Sequence, residues 1–184
     1  MLPDTRKTNS NVQSPSGLVG RVALRCGVGV GVACAGWMLI LQMTGNNGFG
    51  PKQLLAQLLV PLVAVGSEWW LRQQLRPERP GLARSLGVGV LTAFIAAIIS
   101  ASSLVGLAHG AGEPALARNR AEELEIVRAQ QRENPKVILS EKQRQQQLQI
   151  VESLTVGGMA MRNFILVFVL GLVLALPAGI FLRE

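Results

Sequence analysis

Charge is what this sequence has least of. Only 16% of its 184 residues are Asp, Glu, Lys or Arg, against about 25% in soluble domains. The deficit is uneven. Ser85–Ala108 runs for 24 residues without a charged side chain. As a helix that run reaches about 36 Å, enough for the roughly 30 Å hydrocarbon core of a bilayer. Tyrosine is absent, and the aromatics are three Trp and five Phe. So few flat rings, with Trp69 and Trp70 in an apolar context, argue against a nucleic-acid surface despite the net charge of +7. There is one histidine, His109, and the two cysteines are Cys26 and Cys34. The cysteines are separated by about 12 Å along a helix, too far for an intrahelical disulfide. No CxxC and no His/Cys cluster is present, so no metal or cofactor is expected. GxSxG, HExxH, a Walker loop and paired acids are missing too. No catalytic residue is nominated, and a non-enzymatic protein is expected.

What is present is a set of four apolar runs. They predict an all-α integral membrane bundle with transmembrane helices at about 24–43, 54–71, 85–108 and 163–182. Residues 1–19 mix Pro, Ser, Asn and charge and read as a disordered tail before a membrane domain over 20–184. In the first span Gly27 and Gly31 form a small-xxx-small pair, and in the third Ala93, Ala97 and Ala101 share a face. Both faces are candidates for close helix packing. TGNNGFGPK at 44–52 is a turn, which makes the first two spans antiparallel neighbours. Pro61 can kink the second span. Near its end Glu68 precedes Arg72 at i,i+4, the favourable order for a helical ion pair. Trp69 and Trp70 beside them suit headgroup depth, so an ion pair at the membrane edge is expected. The sharper alternative is a proton- or ligand-coupled acid in a membrane cavity.

The polar insert, 110–158, predicts an extramembrane helical hairpin between spans 3 and 4. Ala115–Glu133 is rich in Ala, Glu, Arg and Gln, Asn134-Pro135 stops it, and Ser140 with Gln143 fits a capping box. Leu148, Val151 and Leu154 then make an apolar stripe, a candidate partner surface. Gly157-Gly158 is expected to break that helix before the last span, in which Pro177 and Gly179 can kink the final turns. A weak echo links the Gly-Val-Gly-Val after Arg25 with that after Arg84, as in a parallel repeat of two hairpins; apolar helices also resemble one another by chance. With four spans, Arg6, Lys7, Arg21, Arg25, Arg72, Arg76, Arg79, Arg84 and Arg183 fall on one side, and only Lys52 marks the short turn on the other. That bias favours N-in and C-in in a bacterial inner membrane, with the insert facing outward.

The order of features resembles a widespread bacterial family of small four-span membrane proteins, known only as a domain of unknown function (the DUF-four-one-nine-nine type), over about 20–184. The resemblance rests on the short first hairpin and the basic loop with Pro80-Gly81 before the Gly-rich third span. It rests also on the insert with Asn134-Pro135 and Ser140-Glu141-Lys142-Gln143, and on a last span with Gly171 before Arg183. It implies a membrane location and no activity. The Arg-rich loop is a departure from the pattern. Function is then expected to be protein interaction or assembly, through the small-residue faces and the 148/151/154 stripe. The alternative is a small oligomeric transporter or permease subunit, motivated by Pro61, Pro177 and Glu68. Expected partners are the lipid bilayer and either a second copy or another membrane protein, with no nucleic acid.

Overall fold

The computed structural model describes residues 15–77, 81–133 and 141–182. Every regular element among the described residues is helical: α1 (Pro15–Met43), α2 (Leu54–Gln57), α3 (Leu59–Leu75), α4 (Leu82–Glu133), α5 (Glu141–Glu152) and α6 (Val156–Phe181), with a 3-10 turn at Pro51–Gln53. Four stretches are long and apolar enough to cross a membrane: Gly17–Met43, Pro51–Leu75, Leu82–Glu133 and Val156–Phe181. Helix α4 is central and packs on α1, α3 and α6. It runs parallel to α1 and antiparallel to the other two.

Each boundary has a local cause. Helix α1 stops in a Schellman turn: Gly45 takes φ +77°, Asn46 N–H donates to the Leu41 carbonyl at 2.9 Å, and Gly45 N–H to that of Gln42 at 3.3 Å. Thr44 Oγ1 donates within the same turn, 2.8 Å from the Ile40 carbonyl. Trp37, mid-helix in α1, is tied across to the second span by Nε1 donating to the Lys52 carbonyl at 3.1 Å. Pro61 has no N–H for the Gln57 carbonyl four residues back, and the second span is interrupted there, between α2 and α3.

Three expectations about boundaries change. The N-terminal tail is helical from Pro15 rather than free to residue 19. The third span does not end at Ala108 and no separate hairpin follows it. Helix α4 continues to Ala111, turns at Gly112 (φ 72°, ψ −178°) and resumes as the arm that ends at Glu133. Gly112 alone can take that left-handed φ without a Cβ clash, and Pro114 stands in the first turn of the resumed helix, where a missing N–H costs nothing. A single separate helix, α5, therefore lies between the spans. The last span starts earlier than Asn163: Thr155 caps α6 by accepting from Gly158 N–H at 3.1 Å, so the glycine pair forms its first turn instead of a break. Residues 1–14, the Glu78–Pro80 part of the basic loop, the Asn134-Pro135 stop, the Ser140 cap and Arg183 lie outside the described residues.

The 148/151/154 stripe folds inward. Val151 is buried, Leu148 is half-buried, and Leu154 packs on the cluster of Met38, Phe49, Leu104 and Met159 at this end of the bundle. Arg120 of α4 donates to the Leu154 carbonyl, and Gln131 Nε2 donates to Gln147 Oε1 at 3.0 Å. A helix with so thin an apolar side gains most by burying it on its own chain. The stripe is thus not a free partner surface. Among the described residues, the exposed large hydrophobic side chains of the extramembrane helices are Ile126 and Ile150.

Candidate functional site

Helix α3 buries Val60, Pro61, Ala64, Ser67, Glu68 and Leu71. That spacing is the inward stripe of a helix, and Glu68 belongs to it. Its carboxyl is fully buried between α3, α4 and α6, while Trp69 and Trp70 beside it are exposed. The space it occupies exists because residue 89 is glycine. A Cβ there would overlap Glu68 Oε1 and lie 3.0 Å from the Ala175 Cβ of α6.

The ion pair expected with Arg72 is not made. Both carboxyl oxygens of Glu68 are buried without a hydrogen-bond partner. The physical reason is the notch. Turning into the space at Gly89 carries the carboxyl toward α4 and α6 and off the helix surface where an i,i+4 partner would meet it. Hydroxyls surround this level. Thr92 Oγ1 lies 3.1 Å from Ser67 Oγ and 2.7 Å from the Val88 carbonyl, and Ser67 donates to the Ala64 carbonyl at 2.6 Å. Ser85, one turn before Gly89 on α4, is fully buried with its hydroxyl unpartnered.

A second buried polar layer crosses the bundle farther along. Gln57 Nε2 donates to Asn163 Oδ1 at 2.7 Å, and Asn163 Nδ2 donates to Ser100 Oγ at 2.9 Å. The chain of amides links α2, α6 and α4. Gly89 and Ser100 are separated by about 16 Å of helix, filled by Ala93, Ala96 and Ala97 with Val60, Ala64 and Val167 against them. The bundle thus has apolar outer walls, an apolar middle and a polar layer near each end.

Four such spans in this order fix the class. The family described as "Protein of unknown function (DUF4199)" matches residues 25–184. The chain belongs to that family. It is a multi-pass membrane protein with transmembrane helices. No curated protein and no solved structure matches it.

In this DUF4199 chain Gly27, Gly31, Ala93 and Ala97, named from sequence, sit at helix contacts. A Cβ on Gly27 would fall 2.8 Å from the Ile95 Cβ and 2.9 Å from the Thr92 carbonyl, and one on Gly31 would fall 2.8 Å from the Ile99 Cβ. Ala93 faces Gly171 of α6, where an added Cβ would overlap it. Ala97 is in the central apolar cluster and Ala101 is half-buried. Cys26 and Cys34 are free thiols, and the Cys34 Sγ lies 3.6 Å from the Ala56 carbonyl. His109 is exposed, with Nδ1 2.8 Å from the Val105 carbonyl of its own helix. Among the described residues no three of His, Cys, Asp and Glu come together as a metal site.

Sequence reasoning passed over Gly89, Ser67, Gln57, Asn163 and Ser85. A signal existed for two of them. Gln57 and Asn163 are amides inside otherwise apolar runs, and in a membrane such groups find one another. For Gly89 no local signal exists, since its role is set by a side chain on another helix.

Proposed function

We propose that this protein is a non-enzymatic, proton-linked transport component of a bacterial inner membrane, and that Glu68 is its proton-exchanging group. The single observation that carries the reading is the fully buried Glu68 carboxyl with neither oxygen partnered. A charge at membrane depth costs several kcal/mol unless something balances it. A side chain kept there without a partner is suited to take its balance from a proton or from a passing cation. Ser85, buried with its hydroxyl unpartnered and one turn nearer the basic loop than Gly89, is the group along which a proton or a small cation could be handed to the basic end. Four spans are few for a complete path, so the working unit is a homo-oligomer. The excess of Arg on the short loops at that end supports N-in and C-in.

The test is proton movement in sealed vesicles. With wild-type protein reconstituted into proteoliposomes holding a pH-sensitive dye, an imposed pH step collapses faster than in protein-free vesicles. The Glu68→Gln variant, correctly folded, behaves like empty vesicles. Equal rates for wild type and variant would remove Glu68 from the reading.

The assembly reading keeps one specific support, exposed Ile150 on α5 (64% exposed) with Ile126 on the facing arm. Substituting both with Ser then releases a co-purifying protein from mild-detergent extracts; retention of that protein counts against it.

A further inference from the structure

The two halves of α6 are held to the bundle in different ways. In the half away from the basic loop, Asn163 hydrogen-bonds to Gln57 and Ser100. Phe164 and Phe168 there meet Phe94 of α4 edge-on, at ring-centroid distances of 5.8 and 5.9 Å. From Gly171 to Leu182 every residue is apolar. No side chain in that half can tie α6 to its neighbours by a hydrogen bond, and lipid competes for the same apolar contacts.

The contacts of this half step along α4 turn by turn. Gly171 lies against Ala93, Ala175 against Gly89 and Gly179 against Leu86, whose side chain an added Cβ at 179 would overlap. Ala175 is therefore one wall of the notch that holds the Glu68 carboxyl. The helix is interrupted at the same level. Pro177 has no N–H for the Val173 carbonyl four residues back, so the rung that spans Ala175 is missing. Such rungs are where membrane helices bend. Beyond Pro177, Gly179 is buried without a side chain, and Ile180 and Phe181 are exposed.

We propose that residues 174–182 are a gate over Glu68, hinged at the missing rung between Val173 and Pro177. In the closed position Ala175 walls the notch and the carboxyl is fully buried, as in this structure. Bending at the hinge draws Ala175 and Gly179 off α4 together and opens the carboxyl toward the basic end. Glycine at 179 makes that step easy, because no side chain has to be drawn from between the helices. The use of such a gate rests on proton exchange at Glu68, but its opening is measured apart from transport.

The experiment locks the gate to α4. A Cβ at 179 would lie 3.4 Å from the Leu86 Cα, within reach of a disulfide made by Leu86→Cys with Gly179→Cys. Cys26→Ser and Cys34→Ala remove the native thiols. The readout is the rate at which dicyclohexylcarbodiimide modifies Glu68 in the full chain in phosphatidylcholine nanodiscs, followed by peptide mass spectrometry. The oxidised variant is modified at least tenfold more slowly than the same protein reduced. Pro177→Ala, at an exposed position, returns an N–H to the Val173 carbonyl and slows modification at least threefold. It carries the test if the cysteine variant does not fold. Equal rates in the oxidised and reduced variant, a Pro177→Ala rate equal to that of wild type, or a wild-type Glu68 that is never modified overturns the gate. Slower modification of the locked form, in a protein that moves no protons in vesicles, removes the transport reading and leaves the gate standing.

Discussion

Asn163 and Glu68 are both buried near an end of the same bundle, yet they are treated in opposite ways. Asn163 lies between Gln57 and Ser100 and hydrogen-bonds to both. Glu68 sits in a notch cut by Gly89 with both oxygens unpartnered. The first arrangement makes a polar group serve as a joint between three helices. In the second a more costly group is kept where it stabilises nothing visible. Groups that are expensive and unsatisfied inside a membrane are the ones whose retention needs a function. The difference identifies Asn163 as architecture and Glu68 as the group to test for chemistry.

The contrast can be broken from either side. The largest effect falls on Glu68→Gln, which abolishes proton movement in reconstituted vesicles while circular dichroism and the elution profile stay those of wild type. Next is Asn163→Leu, which leaves Gln57 and Ser100 without their partner. At about 1–3 kcal/mol for each of these two buried orphans, denaturant unfolding in detergent shows a loss of roughly 2–6 kcal/mol. Glu68→Leu, in contrast, removes an unpartnered group and lowers stability little or raises it; a loss as large as that of Asn163→Leu would mean that Glu68 is a joint too. Gly89→Ala drives a Cβ into the carboxyl and against Ala175. Overpacking of this kind costs about 1–3 kcal/mol, and the displaced carboxyl slows proton movement in the same vesicle assay. The smallest effect belongs to Arg72→Gln. With no pairing to Glu68, thermal unfolding shifts by no more than about 0.5 kcal/mol, as for an ordinary surface change.

The four spans were legible because hydrophobic length is a local property, read directly from runs such as Ser85–Ala108. The turn after Met43 was legible for the same reason, since Thr44, Gly45 and Asn46 carry its chemistry in adjacent positions. The insert was misread where a helix outlasts its apolar run. Gly112 looks like a terminator, and in the fold it is a corner that Pro114 lets the helix turn. Leu148, Val151 and Leu154 were read correctly as an apolar stripe but given to a partner, because nothing local says that the arm of α4 and the Met38 cluster lie beneath them. The Glu68–Arg72 pair shows the same limit more sharply. The i,i+4 rule judges one helix alone, whereas the fate of Glu68 is decided by a missing side chain at Gly89 on the next one.

The central claim is that Glu68 exchanges a proton from within the bundle. It is tested most directly with a membrane-permeant carbodiimide, which couples to protonated carboxyls, followed by peptide mass spectrometry. The prediction is an adduct on Glu68 whose yield falls as the pH is raised, with the exposed glutamates of α4 left unmodified by the apolar reagent. A folded protein in which Glu68 stays unmodified at every pH would contradict the account.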